Sequence, residues 1–272
     1  MASELPDTFR QLQTLVTEDG KLKLSLAKVP MPTPGEGDIV IRVEATPINP
    51  SDLGLLVGAA DLSTLKNEGS KDDPKLVADI SGAGMRAMKA RVGQSLGVGN
   101  EGAGTVVAAG SSDAAQALMG KKVTGLGGEF YAEYRMLNVA QVMELPAGAS
   151  ARDGASCFVN PLTALSFPET MRMEGHKALI HTAAASNLGQ MLNKICIADG
   201  VDLVNIVRKP EQEKILRDIG AKHVVNSSSD TFMEDLIAAI AETKATLAFD
   251  AVGGGPLAGQ LLTAMEAAAN MG

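Results

Sequence analysis

The stretch Lys177-Ala-Leu-Ile-His-Thr-Ala-Ala-Ala-Ser-Asn-Leu-Gly189 decides the fold. Its apolar run Ala178–His181 has the length of a short strand, and the small residues after it lead into a helix expected over 187–198. The same grammar then repeats. Asp202–Val207, His223–Asn226 and residues 246–252 read as strands, with helices expected at 211–219 and 230–241. Gly253-Gly-Gly255 is a turn, and Pro256 stands well in the first turn of a helix over 256–269. Strands alternating with helices in this way argue for a parallel, doubly wound α/β sheet with right-handed crossovers.

In such a sheet the first strand–turn–helix junction presents free N–H groups at a helix N-terminus, where a dinucleotide's pyrophosphate would rest. The three positions that are glycine in the G-x-G-x-x-G fingerprint are Ala184, Ser186 and Gly189 here, so only the third glycine is present. Ala and Ser are small enough for a phosphate to approach, and Ser186 adds a hydroxyl donor; equally, the segment reads as an ordinary strand–loop–helix connection. The second strand ends in Val207-Arg-Lys-Pro210, without the acidic residue that would bind an adenosine ribose. Arg208 and Lys209 at that place favour NADP(H) over NAD(H), the alternative being a solvated surface pair.

Composition narrows the function classes. The chain has 272 residues, 45% of them apolar, enough to build a real core in one large domain or two ordinary ones. Asp plus Glu number 32 against 24 Lys plus Arg, a net charge of -8 with no basic run, which argues against nucleic acid or an anionic membrane as partner. Aromatics at 3% with no Trp leave little for stacking on bases. Cys157 and Cys196 are the only cysteines, too few for a disulfide framework, so a reducing compartment fits. The N-terminus lacks the basic-then-apolar pattern of a signal peptide, and no stretch of 18 apolar residues spans a membrane. The chain reads as cytoplasmic, with a small-molecule partner.

The first half is strand-and-turn. Residues 21–26 and 39–45 alternate polar and apolar around a Pro-rich turn, and 97–109 and Lys122–Leu126 are short β-prone runs separated by glycines. Together they suggest an irregular β-domain. Residues 59–95 read as a long surface excursion with a short helix near 85–91, either functional or a sign of a missed element.

Several segments, in order, resemble the medium-chain dehydrogenase/reductase superfamily, and within it the zinc-free quinone-oxidoreductase-like branch. They are Ile48-Asn-Pro-Ser-Asp52, Val98-Gly-Asn-Glu-Gly-Ala-Gly104, Gly120-Lys-Lys-Val-Thr-Gly125, Ala132-Glu-Tyr134, Asn160-Pro-Leu-Thr-Ala164, the 183–189 turn, Gly220-Ala-Lys-His-Val-Val-Asn226 and Phe249-Asp-Ala-Val-Gly253. The Asn205-Ile-Val-Arg208 strand also resembles the 2-enoyl thioester reductases of the same superfamily. The resemblance implies a GroES-like β-rich catalytic domain (residues 1–152) followed by a Rossmann dinucleotide-binding domain (153–272), with the active site in the cleft between them. It implies hydride delivery from NADPH to a quinone or conjugated carbonyl, and a 2-enoyl thioester as the alternative substrate.

Carried over position by position, the resemblance puts Asn49 and Asp52 in the active-site N-P-x-D segment, as candidate catalytic residues. Asn49 would hydrogen-bond a substrate oxygen or the nicotinamide carboxamide; alternatively Asn-Pro merely starts a turn, and Asp52 caps a helix over 53–57. Thr163 matches a position near the nicotinamide, or is simply a helix residue. The expected cofactor-binding set is completed by Ala184, Ala185, Ser186, Asn187, Leu188, Gly189, Arg208, Lys209, Val252 and Gly253. In the alcohol-dehydrogenase branch a zinc-binding Cys stands where this chain has Asn49, a His where it has Asn100, and a second Cys near Val159; the four-cysteine lobe is absent too. His176, His181 and His223 are not at ligand spacing, so no zinc is expected. Tyr131 and Tyr134 are the only phenols, and none lies between Asp52 and Glu101, where the enoyl reductases carry their catalytic tyrosine. Cys157 is expected to be a packed thiol.

The resemblance implies that full-length relatives continue past Gly272 with two more strands, so the chain is expected to be C-terminally truncated, the alternative being a homodimer or an unusual pairing that covers the apolar edge of the half-finished sheet. The competing functions are an NADPH-dependent reductase, a nucleotide-binding protein without turnover, and an inactive fragment.

Overall fold

The computed structural model of the chain describes residues 5–271. Two compact units divide it, Met1–Val159 and Asn160–Gly272. The division follows Val159 rather than residue 152, because the short helix Ala151–Gly154 packs on three strands of the first unit.

Among the described residues the first unit carries ten strands in two antiparallel sheets. In chain order its elements are β1 (Thr8–Val16), β2 (Lys21–Pro30), β3 (Asp38–Ala45), α1 (Pro50–Leu56), β4 (Ala60–Asn67), β5 (Lys75–Ile80), α2 (Gly82–Ala87), β6 (Ser95–Gly97), β7 (Glu101–Ala109), α3 (Asp113–Gln116), β8 (Lys122–Leu126), β9 (Tyr134–Asn138), β10 (Val142–Glu144) and α4 (Ala151–Gly154). One sheet has the order β4-β5-β2-β1-β6, the other β10-β8-β7-β3-β9. Val16, Leu22, Leu24, Ala78, Ile80 and Met88 fill the core under the first. Ile39, Ile41, Val106, Val123, Phe130 and Leu137 fill that under the second.

Residues 59–95 are not the surface excursion their polarity suggests. Ala60–Asn67 folds back on Lys75–Ile80 as a hairpin, and β5 adds to β2 in antiparallel register. Only Val77, Ala78 and Ile80 turn inward, so the alternation that marks a half-buried strand is confined to one arm. The short helix expected near 85–91 is α2 followed by a 3-10 turn at Lys89–Arg91. The strand β1, nine residues long and paired on both sides, also went unmarked by sequence pattern, because polar Gln11 and Thr14 stand on its buried face.

The second unit is the parallel sheet that its sequence announces. It comprises α5 (Val159–Met173), β11 (Ala178–His181), α6 (Asn187–Asp199), β12 (Asp202–Val207), α7 (Pro210–Asp218), β13 (His223–Asn226), α8 (Phe232–Thr243), β14 (Leu247–Phe249) and α9 (Leu257–Ala269). The strand order is β13-β12-β11-β14, all parallel. Strands buried on both faces need continuous apolar runs, and these have them: Ala178, Ile180, Val204, Ile206 and Val225 pack under α8 and α9. On the other face Leu179 and Leu203 meet Leu192 and Cys196 of α6 and Ala164 and Met171 of α5. The strand expected over 246–252 is shorter, because the chain leaves the sheet at Asp250. The helix α5 was not foreseen, its pattern being broken by Pro161 and Pro168. Among the described residues no helix is long and apolar enough to cross a membrane.

Candidate functional site

In the second unit the loops leaving all four strands at their carboxyl ends line one cleft of about 550 Å³. Ala183, Ala185 and Ser186 follow β11, Arg208 follows β12, Ser227 and Ser228 follow β13, and Val252, Pro256 and Leu257 follow β14. The order 3-2-1-4 makes the β11/β14 neighbourhood the point where the winding reverses, and ligands of open α/β sheets bind outside the strand ends at such a point.

Local chemistry shapes the turn. Ser186 is the N-cap of α6, its hydroxyl accepting from the Gly189 amide at 3.1 Å. Ala183 adopts a positive φ of 50°, and Ala184 lies fully buried with its amide donating to Ile206 O at 3.1 Å. Gly189 has to be glycine: a Cβ there would sit 2.1 Å from the Ala184 carbonyl oxygen. That close approach lets α6 begin directly against the strand end. Across the cleft, the Thr182 hydroxyl donates to Asp250 Oδ1 at 2.7 Å and accepts from the Ala251 amide at 2.8 Å, while the Val252 amide reaches Asp250 Oδ1 at 2.9 Å. The Thr182 hydroxyl holds the Asp250 carboxyl below its ordinary range, helped by the Val252 and Gly253 amides.

Of the cofactor-binding set read from sequence, Ala185, Ser186, Arg208 and Val252 line the cleft. Ala184 and Gly189 lie beneath it as packing, Asn187 and Leu188 open the helix, and Leu188 packs inward. Lys209 is the N-cap residue of α7 and, like Gly253 and Thr163, is not among the lining residues; Thr163 is half-buried on α5. Gln212, Ser227, Ser228 and Gln260 were missed as lining groups. Ser227-Ser228 had a usable signal: the pair follows its strand as Arg208 follows β12. Gln212 accepts the Arg208 amide at 3.0 Å and so fixes the start of that loop.

The first unit holds a second polar cluster. Asn49, not Asp52, is the N-cap of α1, and Asp52 stands at the third helical position, its Oδ2 accepting from the Asn49 amide at 2.8 Å. Asp52 Oδ1 accepts from the Asn100 amide at 2.8 Å. Asn49 Nδ2 donates to Glu101 Oε1 at 3.0 Å, and Glu101 Oε2 accepts from the Phe158 and Val159 amides at 2.8 and 3.0 Å. Both carboxylates are buried, Asp52 at 1% and Glu101 at 0% exposure, and amides rather than cations meet them. Fully hydrogen-bonded, such a network fixes one geometry. Tyr131 adds its phenol, donating to Pro47 O at 3.0 Å with the Asp52 carboxylate beside it. Burial, reinforced by Asp52, pushes that phenol up to about 12. Burial also raises the Cys157 thiol, with Glu101 adding to it, which suits a packed cysteine. Glu101 was missed in the sequence, where a lone acid in a Gly-rich β run carries no pattern of its own.

Among the described residues no group of three or more His, Cys, Asp or Glu side chains is placed to hold a metal ion. Asn49 and Asn100 turn their side-chain amides to Glu101 and to the Ser51 hydroxyl. His176 meets Thr246, His181 meets Phe249 O, and His223 lies by Glu242, three separate places.

No protein-family profile matches the chain. The chain is similar to a quinone oxidoreductase of Pseudomonas aeruginosa, 27% identical over 160 residues, covering 58% of this chain and 49% of that protein. It is similar to the mitochondrial enoyl-[acyl-carrier-protein] reductase of Bos taurus, 27% identical over 237 residues, covering 82% of this chain and 54% of that one. Its fold matches the crystal structure of a Mesorhizobium loti protein described as an NADPH:quinone reductase, with a TM-score of 0.72 and 27% identity over 96% of this chain and 72% of that chain. These likenesses support a place for the chain in the medium-chain dehydrogenase/reductase superfamily, nearest in kind to its quinone-oxidoreductase-like branch. Its first unit is the superfamily's GroES-like domain and its second the Rossmann-type domain. The chain spans about half the length of the curated superfamily relatives it matches.

Proposed function

We propose that the chain binds NADPH in the carboxyl-end cleft of its second unit and reduces a quinone or conjugated carbonyl without zinc, with Asn49 and Asp52 at the reacting end. The convergence of the 183–186 turn, Arg208, Ser227-Ser228 and an apolar wall on one cleft carries this reading. The residues fit the cofactor: a capped helix start against which only glycine fits, a cation at one strand end, hydroxyls at the next, and Val252, Pro256 and Leu257 to face a flat ring. When bound, the cofactor supplies a hydride from its nicotinamide ring, and the protein supplies position and electrostatics. Ser186 and the α6 start take the pyrophosphate, whose charge the helix N-terminus favours. The Arg208 guanidinium pairs with a ribose phosphate. Asp52 and Glu101 hold Asn49 in one orientation, removing a reorganisation cost from the reacting state.

A second reading, reduction of a 2-enoyl thioester, is favoured by the bovine relative, which aligns with more of the chain than the quinone oxidoreductase does. One experiment tests both. NADPH binding is measured by titration, and NADPH oxidation is followed with a panel of quinones, enones and 2-enoyl thioesters. Binding with quinone or enone turnover supports the proposal, and thioester turnover alone shifts it to the second reading. Binding without any turnover leaves a nucleotide-binding protein, and no binding removes the assignment of the cleft.

A further inference from the structure

The superfamily resemblance left the proton donor of the reduction open, with two phenols as the available acids. The structure separates them. Tyr134 lies on β9 with its ring edge-on to Phe9 at 5.8 Å. Tyr131 comes from a segment far along the chain, 84 residues from Pro47, to the very turn that carries Asn49 and Asp52. Its main chain is fixed from both sides, its amide donating to Val98 O and its carbonyl accepting from the Leu12 amide, each at 2.8 Å. Its ring lies so close over Gly99 that a Cβ there would stand 2.7 Å from Tyr131 Cδ1, and Gly99 itself has φ of 100°. The phenol proton is directed at Pro47 O, two residues before Asn49, and the Asp52 carboxylate is its other neighbour. Glu44 lines the same open depression as the ring.

We propose that Tyr131 is a positioning residue: its phenol clamps the 47–52 turn through Pro47 and Asp52, and it does not deliver the proton that completes the reduction. The inference rests on the reading of Asn49–Asp52 as the reacting end, and it narrows the substrate class. A phenol whose one proton is committed to Pro47 O, and which burial and the neighbouring Asp52 carboxylate push up to about 12, is a poor acid, so the proton comes from solvent. An oxygen takes a proton from water readily, whereas a carbon needs a positioned acid. Quinones, which are protonated on oxygen, therefore suit this site better than 2-enoyl thioesters, which are protonated on carbon. The balance is quinone plus NADPH plus one solvent proton giving hydroquinone and NADP+, the hydride's two electrons reducing the ring.

Two measurements test it. With no Trp and only two Tyr in the chain, Tyr134→Phe leaves Tyr131 as the sole phenol, and its ionisation is read directly by ultraviolet titration. It is expected to stay protonated until about pH 12, and Asp52→Asn in the same background is expected to lower that point. Ionisation near the ordinary 10, or no response to Asp52→Asn, overturns the clamp. If Tyr134→Phe does not fold, the difference between the unaltered protein and Tyr131→Phe gives the same curve. The second measurement is steady-state kinetics of Tyr131→Phe. The expected result is unchanged KM for NADPH and a kcat for quinone lowered about tenfold, as small misplacements cause. Loss of thioester turnover with quinone turnover intact would make Tyr131 an acid and overturn the proposal. If the unaltered protein binds NADPH but turns nothing over, the functional reading fails, while the titration still decides what Tyr131 does.

Discussion

The polar cluster of the first unit and the cleft of the second are built on opposite plans. Around Asp52 and Glu101 two buried carboxylates are met by five N–H groups, those of Asn49 (main chain and side chain), Asn100, Phe158 and Val159. In the cleft Ser186, Arg208, Ser227 and Ser228 stand where strands give way to loops, and Arg208 and Ser228 are exposed. The first arrangement is already satisfied by the protein, so its energy is spent on holding shape. The second presents exposed polar groups to a cleft, which is the condition for binding a charged ligand. The difference teaches where damage will show: in folding for the cluster, in affinity for the cleft.

The largest effect is expected from Glu101→Leu. It removes the buried acceptor of the Asn49 side-chain amide and of the Phe158 and Val159 amides, and losing hydrogen bonds to a charged group costs about 1.5–3 kcal/mol each. Urea unfolding is expected to show a loss of at least about 3 kcal/mol, with Glu101→Gln much milder because its carbonyl still accepts from the two main-chain amides. A loss equal for both variants would mean that the charge, rather than the acceptor, is what the site uses.

Gly189→Ala comes next and belongs to the border between the two plans, since this glycine packs the helix that faces the ligand. The 2.1 Å approach to Ala184 O is a clash with backbone, which has no flexible end to swing away. Overpacking of this kind costs about 1–3 kcal/mol. Both the thermal midpoint and NADPH affinity are expected to fall together, and a fall in affinity alone would show that α6 shifts without straining the sheet.

How much of this was legible in the sequence follows from the same contrast. The parallel sheet was readable because β11 to β13 are apolar runs separated by helical periods, and Arg208 was readable because a cation directly after a strand has a meaning in that topology. The Asp52–Glu101 cluster was not. Its members are spread over α1, the β6–β7 connection, β7 and the residues after α4, and hydrogen bonds between elements that far apart leave no period in the chain. Tyr131 was visible as a phenol but not as a neighbour of Asp52, because the segment before β9 and the turn before α1 meet only in the folded chain. The β4–β5 hairpin escaped because its polar arm is exposed on both faces, so the alternation rule had nothing to find.

Arg208→Ala is expected to lower NADPH affinity about tenfold or more, the worth of a hydrogen-bonded charge, while NADH affinity and the melting curve stay where they are. Equal losses for the two dinucleotides would remove the phosphate assignment. A smaller effect, and one of folding inside the second unit, comes from His181. It is fully buried, its Nδ1 lies 3.2 Å from Phe249 O, and burial lowers its pKa from 6.5. A base whose folded pKa lies below its unfolded value gains its protons by unfolding, so stability is complete above pH 6.5 and declines as pH falls below it toward the folded value. The thermal midpoint is expected to drop over that window, and His181→Gln is expected to flatten the drop.

The smallest expected effect is the most discriminating one. Arg208 and Lys209 are adjacent cations that the sequence offers as a pair, yet only Arg208 lines the cleft, while Lys209 occupies the N-cap position of α7 without a side-chain cap. An N-cap needs an acceptor to meet the free N–H groups, and an ammonium offers none. Its charge also lies at the positive end of the helix dipole, where cations are disfavoured. Lys209→Ala is therefore expected to leave NADPH affinity within about twofold and stability within ~0.5 kcal/mol, and Lys209→Ser is expected to raise stability by about 0.5–1 kcal/mol through a new cap. Should Lys209→Ala instead cost as much NADPH affinity as Arg208→Ala, both cations reach the ligand. The cleft would then have to close around it, joining the plan of an ordered, satisfied cluster once the phosphate is in place.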